Sequence, residues 1–214
     1  MKSNPYRSLL AGSALPLLFS LTLIAGTTPD RVEIESGSAS FEAGTNVPGI
    51  EIKGTSSTLL GHASVRHDGS GLLLEQVEVS LPVKSLATGM KVRDEHMRKY
   101  IFTAADGRVP DLEFTAAQVN CQTAAAGGFL CQVDGSLSLR GTARPFHISL
   151  SVKEQSSGAS STFHAAGDGV VKLSDYGISS PSQFGVSAAN EVKLHLNLTG
   201  RPRPAAVAST GGDR

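Results

Sequence analysis

The chain has 214 residues, and its 19 Lys and Arg residues balance its 19 Asp and Glu residues. A balanced charge provides no overall field to attract nucleic acid or an anionic surface, so no nucleic-acid partner is expected. Aromatic residues make up 5% of the chain and Trp is absent, which favours strands and turns lined by aliphatic side chains over aromatic stacking platforms.

The start of the chain, residues 1–26, predicts a signal peptide or an N-terminal anchor. Lys2 and Arg7 precede an apolar run over residues 9–24, an order that is typical of a secretory signal, and the run is short for a membrane span. The protein is therefore expected to be exported to the periplasm or the extracellular space, with an uncleaved membrane anchor as the alternative. Residues 201–214 lack apolar periodicity and predict a disordered tail, which leaves residues 30–200 as the folded domain.

Apolar and polar residues alternate along most of residues 30–200, which is the pattern of strands with one apolar face. Gly167 and Gly169 interrupt one segment and predict a bulge or bend. About eight strands are expected, which form either a two-sheet sandwich or a closed antiparallel barrel of the lipocalin kind. The residues predicted to line its interior are Val77, Val79, Leu81, Phe114, Leu137, Phe146, Ile148, Leu150, Leu194 and Leu196.

One short helix is predicted near residues 90–100. Charged residues four apart, such as Asp94 and Arg98, can pair along a helix. Met90, Met97 and Ile101 can share one side of it, and we expect them to face the apolar interior and complete its lining. The segment therefore predicts a helical lid or hinge at one end of the barrel.

The same stretch holds the densest polar group of the chain. Thr88 and Gly89 lead into Arg93, Asp94 and His96, and hydrogen-bonded polar clusters are common at junctions between elements. We expect these residues to hold the helix in place, with the apolar residues, and not His96, beside a bound chain. Catalysis by His96 with Asp94 is the alternative, but the chain has no Gly-x-Ser-x-Gly elbow, so no catalytic residue is assigned.

Cys121 and Cys131 are the only cysteines. In an exported protein two cysteines favour a disulfide, and the Cys-x-x-Cys spacing of redox catalysts is missing. The histidines lack the spacing of a zinc site, so no metal site and no required cofactor are predicted.

Several segments together carry a family pattern. They are Lys53-Gly54, residues 81–90 running into Arg93-Asp94-x-His96, residues 110–114, residues 134–141 with Pro145, and residues 173–178. With these segments the chain resembles the YceI-like family of lipid- or polyisoprenoid-binding secreted β-barrel proteins, over about residues 32–200. It departs from the family at the front, where a Trp-containing first strand and a more aromatic second strand are usual.

The resemblance implies an eight-stranded, usually periplasmic barrel with an elongated cavity for a long-chain amphiphile, such as an isoprenoid quinone or a fatty-acid derivative, and no catalytic activity. The aliphatic strand faces agree, because they suit a flexible hydrocarbon tail held by buried area. We expect a carrier with a bound lipid or isoprenoid, used in transport, storage or stress protection, and a transient membrane contact. The alternatives are a lipid-directed enzyme using His96 and Asp94, and a filled barrel that binds another protein.

Overall fold

The computed structural model describes residues 29–157, 160–183 and 185–203. Within these ranges there is one α-helix, α1 (Lys91–Met97), which continues into a π-helical turn (Arg98–Phe102). The strands are β1 (Asp30–Thr45), β2 (Glu51–Ser56), β3 (Leu60–Asp68), β4 (Gly71–Leu81), β5 (Leu112–Thr123), β6 (Phe129–Leu139), β7 (Thr142–Ser157), β8 (Ser160–Lys172), β9 (Ser182–Gln183) and β10 (Val186–Pro202). The predicted all-β fold with one short helix is confirmed.

The strands form a closed antiparallel barrel. Neighbours follow the order β1, β3, β4, β5, β6, β7, β8 and β10, and β10 pairs again with β1 to close the wall. The periodicity allows a two-sheet sandwich or a closed barrel. The structure is the closed barrel. The two additional strands are short: β2 pairs with β1, and β9 pairs with the start of β10.

The first strand holds the wall together because three strands share it. One edge of β1 pairs with β10 from Val32 opposite Pro202 to Thr45 opposite Ala188. The other edge pairs with β3 near its start and with β2 near its end. This arrangement leaves few unpaired backbone groups along β1, which protects a long strand from pairing with other chains.

The predicted ends of the domain need one correction. β10 extends to Pro202, so the strand continues into the segment predicted as tail, and the backbone N–H of Arg203 donates to the Arg31 carbonyl oxygen at 2.8 Å. The predicted leader, residues 1–26, and residues 204–214 of the predicted tail lie outside the described residues. None of the helices in the described ranges is long and apolar enough to cross a membrane.

Two groups of buried apolar side chains lie towards the two ends of the barrel. One group lies near α1 and includes Val83 and Phe102. The other lies near the β5–β6 turn and includes both cysteines. Phe114 and Phe146 pack against both groups and meet edge to face, with their ring centroids 6.0 Å apart. Aromatic pairs favour this geometry, so the two rings form a contact between the two ends of the interior.

The predicted bulge at Gly167 and Gly169 is wrong, because β8 keeps an unbroken register with both β7 and β10 across these residues. The glycines instead make room for side chains of the neighbouring strand. A Cβ on Gly169 would lie 2.6 Å from the Phe146 ring, and a Cβ on Gly135 of β6 would lie 2.5 Å from the Phe114 ring. Glycine at these positions lets the two aromatic rings lie against the wall.

The predicted disulfide between Cys121 and Cys131 is confirmed. The two residues are direct cross-strand partners of β5 and β6, with Cα atoms 4.2 Å apart, and both are buried. The bond therefore joins neighbouring strands next to their turn. In the chain-entropy model a short closed loop of this kind stabilises the fold by about 2–3 kcal/mol.

The glycine contacts predict the cost of adding a methyl group. Gly135→Ala should destabilise the protein by about 1–3 kcal/mol, since the new Cβ would collide with the Phe114 ring and the Thr115 carbonyl oxygen. Gly44→Ala in β1 is the control, because a Cβ there would meet only the Ala189 Cβ, at 4.0 Å. Chemical denaturation should show an unchanged or slightly higher stability for Gly44→Ala. Equal stabilities of the two variants would contradict the packing argument.

Candidate ligand cavity

A cavity of about 780 Å³ lies inside the barrel. Side chains from the strands of the wall and from the segment around α1 line it, and nearly all of these are aliphatic or Phe. Its volume falls in the upper part of the range of about 300–1,000 Å³ that is typical of small-molecule sites. The interior of this barrel is therefore hollow.

The predicted lining residues lie on the cavity wall with one exception. Those that line it are Val77, Val79, Leu81, Met97, Ile101, Phe114, Leu137, Phe146, Ile148, Leu150, Leu194 and Leu196. The expectation that Met90 faces the interior is wrong, because its side chain is 58% exposed. Met90 precedes the helix with an extended backbone (φ −130°, ψ 112°), so it does not share the helical side of Met97 and Ile101.

The first strand contributes lining residues that the sequence pattern does not predict. Val32 and Ile34 line the cavity at even positions, whereas Ala39 and Phe41 line it at odd positions. The register with β10 shifts between Ile34 and Ser36, and one extra residue in a strand transfers the following side chains to the other face. The sequence signal for this bulge is that the apolar residues of the strand occupy even positions at Val32 and Ile34 and odd positions at Ala39 and Phe41.

The cavity opens at the end of the barrel that carries α1. Four of its lining residues are exposed, namely Ile50, Glu51, Tyr100 and Ser182. They come from the β1–β2 connection and β2, from the turn after α1, and from β9. The helical segment therefore lies beside the opening, as the sequence predicts for a lid or hinge.

Hydrogen bonds tie the start of this segment to the helix. Gly89, with φ +81°, turns the chain between Thr88 and α1. The backbone N–H and Oγ1 of Thr88 both donate to Asp94 Oδ1, at 2.7 and 2.5 Å. Arg93 Nη2 donates to the Thr88 carbonyl oxygen at 2.6 Å. Arg93 and Asp94 thus hold the segment in position, in the structural role expected of them.

The electrostatics of Asp94 follow from these contacts. Its carboxylate accepts from Thr88 rather than from Arg98, whose Nη2 donates to the Leu86 carbonyl oxygen at 3.5 Å. The side-chain hydrogen bond from Thr88 is the largest cause that holds the pKa of Asp94 below its ordinary value of 3.8, and the nearby charges of Arg98 and Arg93 act in the same direction. Asp94 is therefore ionised at neutral pH and stabilises the fold in that form.

Polar side chains line the cavity only in a few places, and four of them belong to the helical segment. Thr88, Arg93, His96 and Tyr100 are all on the wall, and the rings of His96 and Tyr100 meet nearly edge to face with centroids 5.7 Å apart. His96 therefore lies on the cavity wall, and the expectation that the apolar residues rather than His96 contact a bound chain stays a prediction. One helical turn separates His96 from Tyr100, so both side chains reach the same side of the opening.

Two kinds of reactive site are relevant here, a metal centre and a catalytic pair of His96 with Asp94. In the described ranges no group of three or more His, Cys, Asp or Glu residues could hold a metal ion. Of the pair weighed for catalysis, His96 lines the cavity, whereas Asp94 is buried and its Oδ1 is occupied by Thr88.

The sequence matches the profile of the YceI-like domain over residues 31–200. The chain belongs to the YceI-like family. The match covers nearly the whole barrel, so the family resemblance seen in the sequence is confirmed. No curated protein matches the sequence.

Solved structures of the YceI-like fold superpose on this barrel. BcnA from Burkholderia cenocepacia has a TM-score of 0.54 and 18% identity, over 76% of this chain and 95% of that one. A polyisoprenoid binding domain from Saccharophagus degradans has a TM-score of 0.57 and 16% identity, over 80% and 98%. The Campylobacter jejuni YceI protein has a TM-score of 0.57 and 14% identity, over 74% and 89%. At these identities the likeness establishes the fold alone.

The contacts of Asp94 predict a pH-dependent loss of stability on substitution. Asp94→Asn should destabilise the protein by about 1–2 kcal/mol at neutral pH, because the charge-assisted bonds from Thr88 are lost. The lowered folded-state pKa means that the carboxylate stabilises the fold above 3.8, and that this stabilisation is lost as the pH falls through the folded value. The difference between wild type and Asp94→Asn should therefore shrink on acidification, as followed by urea denaturation at a series of pH values.

Glu95→Gln is the matched control for this measurement, because Glu95 is exposed on the same helix. Its stability should stay within about 0.5 kcal/mol of wild type at neutral pH. A difference for Asp94→Asn that is independent of pH would show that the carboxylate charge does not carry the effect.

Proposed function

We propose that this protein is a binding protein that holds a long-chain amphiphile, such as an isoprenoid, a quinone or a fatty-acid derivative, in the barrel cavity. The single observation that carries the proposal is the cavity of about 780 Å³, whose wall is mostly apolar and which opens at one end. A tail can enter through the opening while a polar group stays near solvent. The Saccharophagus degradans structure with the same fold is described as a polyisoprenoid binding domain, which supports the same class of ligand.

The energetics of such a wall favour a flexible hydrocarbon tail. Each buried CH₂ contributes about 0.8 kcal/mol, so tail length determines most of the affinity. Met97 and Ile101 on the helical segment and Phe114 and Phe146 at the middle of the interior provide contacts along the path of the tail. The absence of Trp from the chain leaves area, rather than ring stacking, as the main source of binding.

We further propose that the protein binds its ligand without converting it. Catalysis by His96 with Asp94 would need a carboxylate that is directed at the histidine or at the substrate, and the contact found for Asp94 Oδ1 is with Thr88. A filled barrel that only binds another protein is less well supported, because the interior has room for a ligand. In the cell such a carrier would act outside the cytoplasm, in lipid transport, storage or protection against stress.

Extraction of the protein from its native source tests the proposal. Organic extraction followed by mass spectrometry should recover a long-chain lipid or isoprenoid close to one per protein. Leu194→Trp, which places a larger side chain on the cavity wall, should reduce the recovered lipid several-fold. Lys193→Trp is the control, because Lys193 is exposed and adjacent residues of a strand point to opposite faces. A wild-type extract without lipid would refute the proposed function.

We also propose that the opening contacts a membrane while the ligand is exchanged. Exposed apolar side chains lie on or beside the helical segment at Met90, Val92 and Tyr100, which are 58%, 60% and 55% exposed. Tyr100 also lines the cavity, so this apolar surface continues into the interior. Apolar side chains of this kind can enter the headgroup region of a bilayer.

Lipid transfer measures this contact. Val92→Asp should slow the transfer of a fluorescent long-chain lipid from phosphatidylcholine vesicles to the protein several-fold, because a charge opposes entry into the bilayer surface. Val170→Asp is the control, since Val170 is 51% exposed on β8. Equal transfer rates for the two variants would argue against a membrane contact through the helical segment.

A further inference from the structure

We propose that the helical side of the opening is a recognition site for the oxygen atoms of an acidic head group, a carboxylate or a phosphate, and so sets the orientation of the bound amphiphile. This inference rests on the proposed binding function and adds the chemistry of the head group to it. The residues concerned are Arg93, His96 and Tyr100, which line the cavity beside its opening.

Arg93 is the central residue because one of its donors has no acceptor. Its Nη2 donates to the Thr88 carbonyl oxygen at 2.6 Å. Its Nε is buried and, among the residues that the structure describes, has no hydrogen-bond partner. A guanidinium donor that is buried without an acceptor is unfavourable, and a ligand oxygen that meets Nε after a small shift of the Arg93 side chain would remove that penalty. Arg also suits carboxylate and phosphate oxygens, because it presents several N–H groups in one plane.

The acidic groups near the opening have partners of their own. Asp94 Oδ1 accepts two hydrogen bonds from Thr88. Glu51, which lines the cavity from β2, forms an ion pair with Lys53 at 2.9 Å. Lys53 therefore offsets the charge of Glu51. Both Arg93 and Arg98 act on the single carboxylate of Asp94, so one positive charge of this pair remains for the ligand. An acidic head group is favoured here over an amine, because an ammonium group would meet the guanidinium as a like charge.

The neighbouring lining residues can support the same head group. Tyr100 carries a phenolic hydroxyl and His96 an imidazole, and both groups can donate hydrogen bonds. Both belong to the helical segment that holds Arg93, and their rings are in contact. Deeper in the barrel the wall is aliphatic and aromatic, so a charged head group has favourable partners only near the opening. The tail therefore points into the barrel.

A series of ligands with one tail and different head groups tests the inference without any substitution. A long-chain fatty acid, the alcohol of the same chain and the amine of the same chain are compared at neutral pH by their displacement of the neutral dye Nile red from the delipidated protein. The acid should bind about tenfold more tightly than the alcohol, and the amine should bind least tightly. Equal affinities of acid and alcohol, or a preference for the amine, would overturn the inference.

Two variants test whether Arg93 is the residue that causes the preference for the acid over the alcohol. Arg93→Gln should bring the ratio of the acid affinity to the alcohol affinity close to one, and this ratio is compared within the same variant. Arg98→Gln is the matched control five residues further along. Arg98 donates to the Leu86 carbonyl oxygen and does not line the cavity, so this variant should keep the preference. Loss of the preference in Arg98→Gln, or its survival in a folded Arg93→Gln, would contradict the assignment to Arg93.

The outcome also separates this inference from the proposed function. If none of the three ligands displaces the dye, the proposed binding function fails. If all three bind with affinities set by the tail alone, the binding function stands and the recognition of an acidic head group fails. An alkyl phosphate of the same tail length extends the series. It should bind at least as tightly as the fatty acid, because both head groups present anionic oxygen atoms to Arg93.

Discussion

The pairing of β1 with β10 is the contact on which the rest of this structure depends. It joins the first and last strands of the barrel over nearly their whole length and turns one curved sheet into a wall without free edges. Once the wall is closed, the apolar face of every strand must point inward, because no other packed surface is available to it. The cavity and its aliphatic lining are the direct result of this closure.

Closure also requires the strands to bend, and bulges provide the bending. β1 shifts its register between Ile34 and Ser36, and the β3–β4 and β5–β6 ladders contain similar irregularities. In β4 the irregularity falls at Gln76, which has φ +52°, a conformation that residues other than glycine rarely adopt. Leu72 and Leu74 line the cavity before it, and Val77 and Val79 line it after it. The bulge keeps apolar side chains on the inside through a change of parity.

The helical segment has two roles: its polar residues hold it in place, and several of its side chains line the opening of the cavity. Its internal hydrogen bonds, from Thr88 to Asp94 and from Arg93 to Thr88, are local and hold the segment rigidly beside the opening. The same segment places Met97 and Ile101 on the apolar wall and His96 and Tyr100 near solvent. A rigid entrance with an apolar inner side and polar outer groups suits an amphiphile, because the tail and the head group of such a ligand need different surroundings.

The amino-acid sequence by itself determined the all-β class, the short helix, the disulfide and the inward face of the regular strands β6, β7 and β10. These features depend on local periodicity, on cysteine content and on family pattern, all of which can be read along the chain. The periodicity left the choice between the sandwich and the barrel open, and the family pattern favoured the barrel. Only the tertiary structure decided that Met90 points to solvent while His96 reaches the cavity, and that Gly135 and Gly169 accommodate aromatic rings. The physical reason is that bulges, closure and close packing depend on residues far apart in the chain, and a single shifted residue reverses which side chains face the interior.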